Sequence, residues 1–183
     1  MKINWQPEHL YTILVTLVPL QVSHFDALFE VASDPLIWEQ HPNKNRYKKE
    51  DFQVYFDGAI ESQGAFVVLD SNTKAPIGSS RFYEWDPVKK SVAIGYTFLS
   101  RNYWGQSYNK SMKTLMLDYA FTIADNVVFH IGAQNIRSQK AMEKLGPKKI
   151  AEEEIEYFGE GFKLNCIYSI SKQEWNNIQN QVQ

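Results

Sequence analysis

Between an apolar run ending at Leu99 and an amphipathic run beginning near Tyr108 lies Tyr103-Trp104-Gly105-Gln106-Ser107-Tyr108-Asn109. A helix opening there leaves the backbone N–H groups of its first turn without intrahelical partners. Backed by the helix dipole, such donors suit an anion, a phosphate or pyrophosphate above all. Gly105 permits a sharp turn and lets a ligand come close to the backbone. Farther along, Asn135 and Ser138 open a second helix, and Glu39, His41 and His130 can exchange protons. Phosphate holding and acid–base chemistry are what these types and spacings allow. Each residue also has a plainer reading: a glycine turn that binds nothing, a helix cap at Ser138, a turn closed by His41-Pro42, a satisfied buried His130.

The elements that would position these groups follow from periodicity. Thr12 to Val18 reads as a β-branched strand ended by Pro19. Phe25, Leu28, Phe29 and Ala32 repeat at helical spacing, as do Phe52, Tyr55, Phe56 and Ile60, with a helical turn through Trp38 between them. Strands are expected over Phe66–Leu69, Ile77–Trp85 and Ser91–Leu99. A long helix carries Met112, Leu115, Met116, Tyr119, Ala120 and Ile123 on one face. Val127–Ile131 is a further strand, followed by a shorter helix from near Asn135 to Gly146. Lys149–Phe158 and Lys163–Ile170 form a hairpin around Gly159-Glu160-Gly161, and Ser171 to Glu174 is a capping box for a last helix. Antiparallel strands mixed with helices indicate an α+β layered domain.

Composition bounds the function. The 183 residues, 44% hydrophobic and 14% aromatic, suffice for one well-buried domain, and no linker or repeat divides residues 1–183. A net charge of -2 gives no electrostatic footprint for nucleic acid. One cysteine, Cys166, excludes an internal disulfide framework and a cysteine zinc site, and no metal site is expected. The apolar stretch Tyr11–Leu20 is too short for a membrane span and lacks signal-peptide flanks. A cytoplasmic protein that meets neither membrane nor nucleic acid is expected. Cys166 and the aromatics Trp38, Tyr83, Trp85 and Tyr157 read first as core, with some aromatics available to line an acceptor groove. Glu152-Glu153-Glu154 reads as a solvated face.

Ile94-Gly95-Tyr96, Tyr103-Trp104-Gly105, Tyr108-Asn109, Asn135-x-x-Ser138 and Glu143-Lys144-Leu145-Gly146, in that order, resemble the GNAT superfamily of acyl-CoA-dependent N-acyltransferases. The likeness spans roughly residues 12–170 and is greatest to the branch of ribosomal-protein N-terminal acetyltransferases. Trp38-Glu39-Gln40-His41-Pro42, with Arg46 after it, looks like the substrate-side region of one subgroup. The resemblance implies a single acyltransferase domain with a mixed, mostly antiparallel central sheet, splayed central strands and flanking helices. It also implies acetyl-CoA as acyl donor and no metal.

By that resemblance, Tyr103, Trp104, Gly105, Gln106, Ser107, Tyr108 and Asn109 would hold the pyrophosphate. Phe98 and Leu99 would lie in the strand that pairs with the pantetheine arm, and Asn135 and Ser138 would face that arm or its sulfur. Transfer to a primary amine, either a protein N-terminus or a small molecule, is the implied reaction, with a homodimer as one possible assembly. Five positions depart from the family pattern. Trp104, Ser107 and Asn109 stand where the family loop usually has Arg or Gln, Gly, and Gly or Ala, while Met142 stands at a usual tyrosine acid and Ala93 at a usual glutamate base. Ser138, Glu39 and His41 are therefore the candidate catalytic groups. A catalytically inactive acyl-CoA-binding module is the alternative.

Overall fold

The structure, a computed structural model, describes residues 3–181. Eight strands form one sheet in the order β1-β2-β3-β4-β5-β6-β8-β7. These are β1 (Leu10–Tyr11), β2 (Val15–Pro19), β3 (Ala65–Asp70), β4 (Pro76–Asp86), β5 (Ser91–Leu99), β6 (Asn126–Gly132), β7 (Lys148–Tyr157) and β8 (Gly161–Ser171). The helices are α1 (Phe25–Ala32), α2 (Lys49–Ser62), α3 (Tyr108–Ala120), α4 (Ile136–Leu145) and α5 (Lys172–Asn180). All neighbouring strands run antiparallel except β5 and β6. The chain is thus the α+β domain expected from its pattern.

Both faces of the sheet are covered, and strand alternation decides what lies where. Phe66 and Val68 face a core with Met112, Met116, Leu117 and Ala120 of α3. Ala65 and Val67 face the opposite core, with Leu28 of α1 and Phe52, Tyr55 and Phe56 of α2. The helix starts carry their expected chemistry. Ser171 Oγ accepts from Glu174 N while the Glu174 carboxylate accepts from Ser171 N. Gly146 closes α4 at φ +114, a left-handed conformation suited to glycine.

Three boundaries differ from expectation. The strand expected over Thr12–Val18 starts only at Val15, because Thr12 Oγ1 accepts from the N–H groups of Leu14 and Val15 and makes a turn. That turn folds Leu10–Tyr11 back as an edge strand. Pro19 ends β2 from inside it, opposite Phe66. α3 stops at Ala120, so Ile123 lies in the turn beyond it.

Two irregularities shape the centre of the sheet. Ser79 pairs with Phe98 and Arg81 with Gly95, so Ser80 faces both Tyr96 and Thr97 in a β-bulge. Tyr96 sits there at φ +51, where non-glycine residues are uncommon. The parallel pairing of β5 with β6 covers only Ser91–Ala93 against Asn126–Val128. From Ile94 onward β5 has no strand partner on that side, and the two strands part.

Candidate active site

A cavity of about 220 Å³ occupies the place where β5 and β6 separate. One wall is the strand from Ile94 to Leu99, and the other is Phe129 to Gly132. The loop into α3 and the start of α4 close one end, and His41, Tyr83 and Tyr157 line the other.

The loop presents donors. Among the described residues, none accepts from the backbone N–H groups of Gly105, Gln106, Ser107, Tyr108 or Asn109. Gly105 has φ +70, and a Cβ built on it would meet nothing within 4 Å. Orphaned amides beside open space, at the mouth of an elongated cleft, fit a pyrophosphate with a thiol-bearing arm. Trp104 is fixed beside them. Its Nε1 donates to Leu99 O at 2.9 Å, and the Arg137 guanidinium lies 3.8 Å from its ring centroid.

The segment from Ile37 to Pro42 spans the cleft from above. Arg137 Nη2 donates to Ile37 O at 3.2 Å, and Arg137 N donates to Gln40 Oε1 at 3.1 Å. Pro42 packs so closely on Gly132 that a Cβ there would lie 2.5 Å from its ring. Asn135 caps α4 by accepting from Ser138 N at 3.2 Å. The Ser138 hydroxyl lines the cavity and has no hydrogen-bond partner among the described residues.

Most of the residues expected at the site converge on it. Phe98, Leu99, Tyr103, Trp104, Gly105, Gln106, Asn109, Asn135, Ser138 and His41 all line the cavity. Three do not. The Tyr108 side chain turns toward β3, its hydroxyl donating to Asp70 Oδ2 at 3.1 Å. Ser107 is exposed, leaving only its backbone at the loop, and Glu39 is exposed and lies outside the cavity lining. His41 is occupied: its Nδ1 accepts from Asn43 N at 3.0 Å while Arg46 Nη1 stands 3.3 Å from Nε2. Burial and the Arg46 charge hold the imidazole well below its ordinary pKa, hence neutral.

Three other groups meet here: His130, which the sequence offered as a proton-exchanging group, Tyr83, which it offered as an aromatic, and Lys113, which it did not single out. His130 Nδ1 lies 2.9 Å from the Tyr83 hydroxyl, and both residues line the cavity. Burial lowers the His130 pKa, against the opposing pull of Glu84, whose carboxylate lies 4.0 Å away. Burial raises the Tyr83 pKa well above its ordinary value, so the phenol stays protonated. Lys113 lines the cavity from α3 and is 4% exposed, its Nζ donating to Thr97 Oγ1 at 2.6 Å and Ser80 Oγ at 3.2 Å. Desolvation lowers its pKa to about 7. A lysine inside an apolar helix stripe, three and four residues before Met116 and Leu117, was the available signal.

The Acetyltransferase (GNAT) domain model matches residues 15–148, most of the chain. The chain belongs to the GNAT acetyltransferase family. It is an N-acetyltransferase by that membership, and its fold agrees. An acetyltransferase structure from T. thermophilus is 25% identical, with 96% of this chain and 95% of that one covered at a TM-score of 0.78. A GCN5-related N-acetyltransferase from Brucella melitensis is 19% identical, covering 96% and 84% at a TM-score of 0.80. Spermidine N-acetyltransferase from Vibrio cholerae, solved with CoA and spermine, is 18% identical, covering 91% and 100% at 0.69. The last two likenesses concern the fold alone. No curated protein matches this GNAT chain. Among the described residues, no group of three or more His, Cys, Asp or Glu side chains is placed to hold a metal, and no helix is long and apolar enough to cross a membrane.

Proposed function

We propose that this GNAT protein transfers the acetyl group of acetyl-CoA directly to a primary amine within a ternary complex. The observation that carries this reading is the row of amides without acceptors from Gly105 to Asn109, at the mouth of the β5–β6 cleft. Acetyl-CoA supplies the activated thioester carbonyl. The protein's part is to hold it, polarise it and manage two protons.

The amides of Gly105–Asn109 would bind the pyrophosphate, and Trp104, pinned by Leu99 and Arg137, would fix the loop around it. The unpaired edge of β5 would hold the arm. A backbone N–H of the Tyr96–Leu99 stretch, turned by the bulge, would donate to the carbonyl oxygen as negative charge develops there. The amine enters from the end lined by Tyr83, Tyr96 and Tyr157. His130, positioned by the Tyr83 hydroxyl, is the base best placed to accept the ammonium proton, since His41 is occupied and Glu39 lies outside. Ser138 would donate toward the leaving sulfur, in place of the tyrosine that Met142 replaces.

Calorimetric titration of acetyl-CoA tests the site, and release of CoA thiol with an amine panel tests the reaction. Saturable binding with ATP much weaker, together with turnover, is expected. Gly105→Asp sets a carboxylate among the anion donors and should weaken acetyl-CoA binding about tenfold or more. Unchanged affinity in a folded variant would remove the loop assignment. Saturable binding without turnover of any amine would instead favour an acyl-CoA-binding module, the reading that Ala93 and Met142 support.

A further inference from the structure

Arg81 of β4 is 4% exposed, yet its guanidinium makes no hydrogen bond and no ion pair with any described residue. Its Nε is buried without a partner. The two Nη nitrogens also lack partners and retain some contact with accessible space. What holds the group is aromatic: the Tyr96 ring lies 3.3 Å below it, with Tyr55 and Tyr83 each at 6.0 Å. Arginine stays charged in proteins and has five donors, so a buried one without an acceptor is a costly arrangement.

The surroundings do not neutralise it. Arg46, 0% exposed, lies against the same Tyr55 and Tyr96 rings, at 4.9 and 5.6 Å from their centroids. Glu160, from the β7–β8 turn, is the carboxylate that reaches in, and it is committed to Arg46. Arg46 Nε donates to its Oε2 at 3.0 Å and Nη2 to its Oε1 at 2.5 Å. Of the two buried guanidinium groups, Arg46 therefore has a carboxylate partner and Arg81 has none among the described residues. Arg81 stands directly opposite Gly95 in the sheet, on the face of Tyr83. Tyr83, Gly95 and Tyr96 line the cavity at the end where the amine would enter, and Arg81 lies against Tyr96 and opposite Gly95, just outside that lining. At that same end Glu84 lies 4.0 Å from His130, giving negative charge on the His130 side and positive charge on the Arg81 side.

We propose that Arg81 receives an anionic group, a carboxylate or phosphoryl, carried by the acceptor amine, so that the acceptor is a small zwitterion of the amino-acid type. This rests on the acetyl-transfer reading and narrows it. The ammonium would lie toward His130 and Glu84. The anion would meet the fork of Arg81, whose paired N–H groups match two oxygens of a carboxylate. A polyamine, cationic at both ends, would bring a second positive charge to a site that already has one in excess.

The test compares matched acceptors with acetyl-CoA by CoA-thiol release: alanine, methionine and phenylalanine against their carboxamides, with aminomethylphosphonate, spermidine and an amidated dipeptide alongside. An acid or phosphonate should exceed its uncharged partner about 10- to 100-fold in kcat/KM. Arg81→Met should collapse that ratio toward unity, and Arg81→Lys should restore part of it. A thermal melt and acetyl-CoA titration of each variant check that the fold and donor site persist. Equal rates for acid and carboxamide, a preference for spermidine or the dipeptide, or a carboxylate preference that survives Arg81→Met would overturn the inference while acetyl transfer stands. If no amine is turned over, the same pairs are titrated calorimetrically into the CoA-saturated protein. Binding of the acid alone, lost in Arg81→Met, upholds the Arg81 site even as the transfer reading fails. Equal binding of both partners, or of neither, removes it.

Discussion

Lys113 shows how much a single buried side chain can reveal about conditions. Among the described residues its ammonium donates to the hydroxyls of Thr97 and Ser80, with the Phe129 ring 5.8 Å away, and desolvation brings its pKa from 10.5 to about 7. Between pH 7 and 10.5 the unfolded chain therefore binds the proton more readily than the native one, and stability rises with pH across that window. Below pH 7 the full penalty of the buried charge is present. Lys113→Met should thus stabilise the protein by on the order of 1–4 kcal/mol at pH 6. The gain should fade toward pH 10, as read from denaturant midpoints across pH. Thr97 and Ser80 remain hydrogen-bonded to each other at 2.8 Å, so the substitution strands neither hydroxyl. His130 carries the complementary kinetic prediction. Its lowered pKa means that the neutral, proton-accepting form persists below pH 6.5 and is lost only as pH falls further. The acid limb of kcat/KM should therefore lie below 6.5. His130→Gln should lower kcat by about 100-fold or more and abolish that limb; a limb unchanged in the variant would move the base elsewhere. For Ser138→Ala, kcat should fall while the acetyl-CoA dissociation constant holds. An unaltered kcat would leave Ser138 with its backbone role alone, donating its N–H to the Asn135 cap.

At the scale of elements, the site depends on how one irregular segment lies across two regular ones. Ile37–Pro42 is held by the side chain of Arg137, by the start of α4 through Gln40, and by the flat surface that Gly132 leaves for Pro42. Gly132→Val would drive side-chain atoms into the proline ring. It should cost about 1–3 kcal/mol of stability and raise KM for the amine, both measurable on the purified variant. A variant of native stability with unchanged KM would show that the segment docks without this contact. The helices and most strands were legible because each has one apolar face, and a face of that kind repeats at a fixed interval along the chain. The capping box at Ser171 was equally plain, being local in sequence, whereas the cap of α4 is Asn135 and not Ser138, whose N–H it receives. β1 was not, since two residues carry no period and the turn that creates the strand is made by one threonine hydroxyl. The proposed cofactor loop was legible as a glycine between a strand and a helix, but spacing could not say that Tyr108 would turn to Asp70. The end proposed to receive the amine was least legible. Arg81 and Arg46 lie 35 positions apart, and Glu160 is 114 from Arg46. Which cation keeps a partner is decided only when β4, the α1–α2 connection and the β7–β8 turn meet.

For the molecule as a whole, the three-residue ladder between β5 and β6 divides the sheet into a five-stranded and a three-stranded part. Each part is continuous in itself, and the boundary between them is where the cavity lies. Saturating acetyl-CoA should raise the melting temperature, with about 2.7 kcal/mol of added stability at a concentration 100 times its dissociation constant. A melting curve that does not respond would contradict binding across this boundary. Seen mechanically, the gap is a seam left unstitched, with the β6-facing edge of β5 unpaired over the stretch from Ile94 to Leu99. An extended arm lying there would take the place of missing rungs, and amide exchange at Ile94–Leu99 would slow while the distant β2–β3 ladder kept its pace. The thioester would then meet the amine only in a molecule whose two parts had just been laced together, so that readiness to react and cohesion of the sheet rise and fall as one.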